Sequence, residues 1–328
     1  MVNWLKRKTE QKKLNPKDAG QGNADLEYCL GLRALTLRGL DGETDYKQAI
    51  MWFTKAAEQG HPDAQFRLSL CYLWGRGVAQ DSVQAVVWLT KAAEQNDPNA
   101  QANLGMCYLE GDGVAQDSVQ AVVWLTKAAE QGHAIAQANL GMCYLDGKYV
   151  EKNREQAVVW LTKAAEQNDP AAQANLGVCY LEGLGVEEDC KQAVVWLTKA
   201  AEQNDPNAQA NLGKCYLEGW GVEKDYKQTT KWFIKAAEQG HAEAQAFLGT
   251  CYLEGVGVDK DSAQAIMLYK KAAEQGNTHA QYQIGLCYLI GLGVEKDCKQ
   301  AVVWLTKAAE QGHAEAQAFL GTCYLEGF

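Results

Sequence analysis

Between Asp97 and Gly132 the apolar positions fall into two runs with helical spacing. Ala100, Leu104, Cys107, Tyr108 and Gly111 follow one another at steps of 4, 3, 1 and 3, which places them on one face of a helix. Ala121, Trp124, Leu125, Ala128 and Ala129 do the same further on. The runs predict a helix A beginning at Pro98 and a helix B beginning after Asp117. Pro98 sits where a missing N–H costs nothing, and Asp97 before it can cap. Gly111-Asp112-Gly113-Val114 reads as the turn between them, the glycines supplying positive φ where the chain reverses. Asp117 with Gln120 reads as a capping box, the Gln side chain reaching back to the cap. Gly105 is the small residue on helix A and would let another helix approach closely.

This pattern recurs along almost the whole chain. Trp52, Trp88, Trp124, Trp160, Trp196, Trp232 and Trp304 keep one 36-residue register, with Leu268 at the single register point lacking Trp. Cys71, Cys107, Cys143, Cys179, Cys215, Cys251, Cys287 and Cys323 keep the same period. Helix B stops at Gly60, Asn96, Gly132, Asn168, Asn204, Gly240, Gly276 and Gly312. Only Gly and Asn appear there, the residues that most readily close a helix in the left-handed conformation. Such a period is the signature of a stacked repeat, in which each unit buries its apolar face only against its neighbours. The expectation is an all-α, α/α superhelical solenoid of about eight 36-residue helix-turn-helix repeats plus a terminal helix at 314–326, wound right-handed. It occupies residues 23–328. Between Leu30 and Trp52 the first unit has two residues more than later ones, and it reads as an N-terminal cap. Residues 1–22 are polar and basic and read as a flexible tail.

Composition narrows the function. The formal net charge is −10, and the bases Lys6, Arg7, Lys8, Lys12, Lys13 and Lys17 crowd into the tail, so the repeats are more acidic still. An acidic array repels phosphate backbones, which argues against a nucleic-acid partner. No apolar run approaches the ~18 residues of a membrane span. The chain has 11 cysteines, eight of them at one position per repeat. Equivalent positions on stacked helices lie on the order of 10 Å apart, beyond the ~7 Å Cα separation a disulfide tolerates. The repeat thiols are therefore expected to be reduced core residues, which points to a reducing, cytoplasmic setting. Cys190 and Cys298 each follow a repeat Cys by eleven residues, and a turn could bring either pair together.

Familiar chemistries do not fit the spacing. His61, His133, His241 and His313 each precede a repeat Cys by ten residues, but ten helical residues span ~15 Å, too far to share a zinc ion. Those histidines read instead as helix caps, and no metal or cofactor is implied. The Gly-x-Gly turns lack the strand before and the Gly-Lys-Ser/Thr end of a phosphate loop. There is no nucleophile elbow and no Ser-x-x-Lys, and a near-perfect repeat offers no single asymmetric constellation. No catalytic residue is assigned, and the expectation is a non-enzyme.

The run Trp124-Leu125-x-Lys127-Ala128-Ala129-Glu130-Gln131-Gly132-His133-x-x-Ala136-Gln137-x-x-Leu140-Gly141-x-x-Tyr144-x-x-Gly147, which recurs eight times, resembles the Sel1-like repeats, relatives of the tetratricopeptide repeats. The resemblance implies an α/α solenoid with a concave partner-binding face, used by adaptors in signalling, protein quality control and bacterial interaction with host cells. It leaves an exported effector as the alternative to a cytoplasmic protein. A cysteine-rich branch of the family carries an intra-repeat disulfide between cysteines eight apart, and some members are linked to β-lactam binding or hydrolysis; here both disulfide positions are non-Cys in every unit. A structural or consensus-like array with no ligand is the third reading.

By the same resemblance helix A lines the concave side. On it Asn99, Asn103, Met106 and Glu110 lie opposite the core stripe. The register of Asn103 continues as Arg67, Asn139, Asn175, Asn211 and Phe247, and that of Met106 as Met142 and Lys214. An Asn side chain both donates to and accepts from a peptide backbone, and Met repacks against varied surfaces. Arg67, Asn103, Met106, Asn139, Met142, Asn175, Asn211, Lys214 and Phe247 are thus the candidate binding residues, for a protein or peptide partner.

Overall fold

A computed structural model describes residues 23–36 and 45–326, with side chains as far as 321. The tail predicted for 1–22 lies outside them. The described residues form seventeen helices and no strand: α1 (Ala24–Thr36), α2 (Tyr46–Glu58), α3 (Pro62–Trp74), α4 (Ser82–Glu94), α5 (Pro98–Glu110), α6 (Ser118–Glu130), α7 (Ala134–Asp146), α8 (Arg154–Glu166), α9 (Pro170–Glu182), α10 (Cys190–Glu202), α11 (Pro206–Glu218), α12 (Tyr226–Glu238), α13 (Ala242–Glu254), α14 (Ser262–Glu274), α15 (Thr278–Ile290), α16 (Cys298–Glu310) and α17 (Ala314–Glu326). They pair as A and B helices, with α17 an A helix standing last. The chain divides within α8 into two compact units, Met1–Ala164 and Ala165–Phe328. Within each, consecutive helices pack on one another.

The local signals explain the boundaries. Asp97 accepts the N–H of Ala100 at 2.7 Å and opens α5. Asp117 accepts the N–H of Gln120 at 3.0 Å and opens α6. Helix A ends on a left-handed glycine, as at Gly111 with φ 75°. Helix B ends as expected, and Asn96, Asn168 and Asn204 are the non-Gly residues with positive φ among those described.

The expected capping box is only half formed. The cap side of it is present before each described helix B, by aspartate or, at α8, by Asn153, but among the described residues the Gln side chain does not reach back. The cap's own N–H is already taken: Asp117 donates to the Tyr108 carbonyl at 3.0 Å, and Asp225 to Tyr216 at 3.0 Å. That bond ties the start of helix B to the end of helix A, so the turn closes on itself.

The core is a layer of small and branched residues. Ala121, Leu125 and Ala128 are wholly buried and pack with Leu140, and burying one such Leu is worth ~1.5–3 kcal/mol. Gly105 serves close packing: a Cβ there would stand 2.8 Å from Leu125 Cγ and 3.1 Å from the Ala121 carbonyl. Gly213 meets the Phe233 ring in the same way, at 2.7 Å. The tryptophans are less buried than their spacing implied. Trp160 and Trp232 are buried, but Trp52, Trp88, Trp124, Trp196 and Trp304 are only half so. The lysine one turn on covers each exposed ring face, as Lys127 Nζ does 4.0 Å above Trp124.

One turn breaks the pattern. Gly147-Lys148-Tyr149-Val150 has tyrosine where the other turns have their second glycine. In Gly113 that position touches the carbonyl of Ser82 so closely that a Cβ would sit 2.1 Å from it. Tyr149 cannot make that approach; its turn opens instead beside a cavity of about 440 Å³ lined by Tyr144, Val150, Glu151, Lys152 and Asn153.

Candidate functional site

In the first unit Arg67 lies on α3, Asn103 and Met106 on α5, and Asn139 and Met142 on α7. In the second, Asn175 lies on α9, Asn211 and Lys214 on α11, and Phe247 on α13. All nine are half-buried. The reason is that successive A helices are neighbours, as α9 and α11 are. Between them Ala102, Ala138, Ala174, Ala210 and Ala246 are buried. Only the flanks of the register, such as Asn99 and Glu110, are fully exposed.

The side chains here are differently engaged. Asn103 donates to the Asn99 carbonyl of its own helix at 2.8 Å. Asn139 donates to the thioether of Met106 at 3.2 Å, linking α7 to α5. Arg67 sits beside the Tyr28 phenol and partly offsets the burial that pushes that hydroxyl's pKa up. In the second unit Lys214 pairs with Glu243 at 2.7 Å and lies 5.3 Å over the ring of Phe247. Phe247 in turn stacks on Phe233, with centroids 5.4 Å apart. Asn175 and Asn211 have no side-chain hydrogen bond among the described residues.

Sequence reasoning passed over a second set of polar residues, the glutamines. Gln65, Gln101, Gln137, Gln173, Gln209, Gln245 and Gln281 are at least 96% buried on the A helices. Each sends its Nε2 to a carbonyl near the end of the preceding helix B, as Gln101 does to Ala93 at 3.1 Å and Gln209 to Ala201 at 3.2 Å. At Gln65, Gln101, Gln173, Gln209, Gln245 and Gln281 the Oε1 accepts the Nε2 of the Gln that ends its own hairpin, from Gln131 to Gln101 at 2.7 Å and from Gln239 to Gln209 at 2.8 Å. One buried amide thus joins three helices with both its ends used. Glu27 takes this register on α1 and accepts from Gln59. The signal lies in the sequence as the Gln131/Gln101 spacing, repeated in every unit after the first.

The thiols are poor nucleophiles. Burial pushes Cys107, Cys251 and Cys287 up to about 11 and Cys215 to about 12, so the thiolate is scarce at neutral pH. None of the ten described cysteines is in a disulfide. The Cys190 thiol donates to Glu188 Oε1 at 3.7 Å, and neither Cys190 nor Cys298 is in a disulfide. No described helix is long and apolar enough to cross a membrane.

Hairpins of one length, closed by one cap pattern and joined through one buried glutamine, define an α-helical repeat protein. Nine consecutive segments match the model of the Sel1 repeat: 27–61, 62–97, 98–133, 134–169, 170–205, 206–241, 242–277, 278–313 and 314–328. The chain belongs to the Sel1 repeat family, whose members are generally protein-interaction scaffolds. It is similar to a protective antigen of uropathogenic Escherichia coli strains that displays an SLR fold, at 40% identity and a TM-score of 0.78, covering 99% of this chain and 68% of that one. A Sel1 repeat protein from Oxalobacter formigenes is 36% identical with a TM-score of 0.69, covering 94% of this chain and 89% of that one. The tetratricopeptide-repeat sensor protein of the STAND ATPase class from Pyrococcus horikoshii shares the fold alone, at 15% identity and a TM-score of 0.55, over 94% of this chain and 50% of that one. No curated protein matches the chain.

Proposed function

We propose that the chain is a non-enzymatic scaffold that holds an extended protein or peptide segment along its A helices. The observation that carries this reading is the state of Asn175 and Asn211. Both stand half-exposed at one register of successive A helices, and their amides are uncommitted within the described residues. An extended segment crossing the two helices could pair its backbone N–H and C=O with them, since each amide offers a donor and an acceptor. Lys214 and Phe247 add a charge and a ring beside the same track. Met106 and Met142 provide an adaptable apolar surface in the first unit. The high pKa values of the buried thiols fit a scaffold and give no support to covalent catalysis.

A random peptide library displayed on phage and selected against the purified chain tests the reading. Selected peptides should bind the Asn175→Ala/Asn211→Ala variant at least about tenfold more weakly, the cost of roughly 1.4 kcal/mol. Undiminished binding, with helix content unchanged in both proteins, removes these two amides from the function.

A further inference from the structure

The residue after each helix-B stop caps the following helix A. At this register the chain uses Asp97, Asp169, Asp205 and Asn277, but also His61, His133, His241 and His313. An Asn cap offers an oxygen whose lone pairs are available at any ordinary pH. A histidine offers Nδ1, which accepts only while it is unprotonated. All four histidines are used as acceptors: from Ala64 at 3.3 Å, Ala136 at 3.2 Å, Ala244 at 3.2 Å and Ala316 at 3.4 Å. Accepting at Nδ1 leaves the proton on Nε2. At His241 that nitrogen lies 3.2 Å from Asn207 Oδ1, joining the start of α13 to α11. Protonation would turn the acceptor into a donor aimed at a backbone N–H. It would also place a cation at the positive end of a helix dipole.

The four are not equivalent. His61 Nε2 lies 3.4 Å from Asp25 Oδ1, and its ring is 4.5 Å from that of Tyr28. His313 Nδ1 lies 3.2 Å from Glu315 Oε2, and its ring is 4.5 Å from that of Tyr282. Each of these two rings is thus held between a carboxylate and an aromatic ring. His133 faces only the carboxylate of Asp97. His241 faces the carboxylates of Glu243 and Asp205 and the ammonium of Lys214.

We infer that His133 and His241 are acid-sensitive latches, one in each unit, that hold the first turns of α7 and α13 in place while their imidazoles are neutral and loosen them on mild acidification. Burial is the largest influence on both rings and lowers their pKa; Asp97 at His133, and Glu243 and Asp205 at His241, pull the other way, while Lys214 reinforces the lowering at His241. The folded chain therefore binds fewer protons than the unfolded chain just below the ordinary histidine pKa of ~6.5. The latch contribution is complete above that pH and is lost as pH falls from there through the lowered folded values. Loosening would fray the first turns of α7 and α13. Asn139 and Phe247 stand one turn further along those helices, so the inference bears on the proposed binding track without depending on it.

The test uses the full chain and a His133→Asn/His241→Asn variant, since Asn277 already fills this register without titrating. Thermal unfolding followed by circular dichroism at pH 7.5 and 5.5 should show the parent losing a few degrees more than the variant on acidification. In parallel, imidazole ¹⁵N shifts should report the Nε2–H tautomer at both residues and midpoints below 6.5. Equal acid losses in parent and variant, or midpoints at or above 6.5, would overturn the inference. Because neither readout involves a partner, failure here leaves the peptide-binding reading standing, and the reverse holds as well.

Discussion

The buried glutamines and the Asn/Met register lie on the same A helices, two residues apart, yet the chain treats them differently. The glutamine position is filled identically from Gln65 to Gln281, and each amide is consumed by a carbonyl before it and an amide after it. The neighbouring register holds Arg67, Asn103, Asn139, Asn175, Asn211 and Phe247 by turns. Its side chains meet whatever is at hand: a phenol, a helix carbonyl, a thioether, a ring. The hairpin tolerates all of these, so the fold does not dictate what stands there. A half-exposed position that the fold leaves unspecified is one that a partner can specify.

The contrast can be broken from its rigid side first. Gln209→Leu keeps the volume but removes one donor from the Ala201 carbonyl, which keeps the Asn204 N–H, and the short acceptor from the Gln239 amide, and should cost about 1–3 kcal/mol; a urea titration would read it. Gly213→Ala comes next. Its methyl would meet the Phe233 ring at 2.7 Å, an overpacking worth about 1–3 kcal/mol, visible in the same titration and as accelerated amide exchange in α11 and α12. Asp225→Ala removes the acceptor for the N–H groups of Lys227 and Gln228 and should cost ~1 kcal/mol. On the permissive side, Asn175→Ala/Asn211→Ala should change stability by no more than about 0.5 kcal/mol per site while weakening selected peptides. A loss of stability there as large as that of Gln209→Leu would erase the distinction.

The hairpins were legible because their signals are local and redundant. Pro98, Asp117, Gly111 and Asn96 mark four boundaries within one unit, and the structure places them there. Gly105 announced a close helix approach, and Leu125 arrives to meet it. What sequence could not give was which polar groups compete for the same partner. The Asp117 N–H is spent on Tyr108, so Gln120 has nothing to reach for. Nor could helical spacing show that successive A helices touch, which turns the flank carrying Asn139 and Met106 into a half-covered seam. Tyr149 was visible as a missing glycine, but its effect depends on how closely that turn would otherwise approach the neighbouring helix start.

Gln101 has a mechanical consequence. A helix sliding along its axis by one turn moves ~5.4 Å, far more than a hydrogen bond can stretch. Gln101 holds Ala93 on one side and Gln131 on the other, so α4, α5 and α6 cannot creep past one another without breaking a buried amide. Tension applied along the stack should therefore meet a series of discrete ratchet teeth, and the hairpins should give way one at a time rather than by gradual slippage.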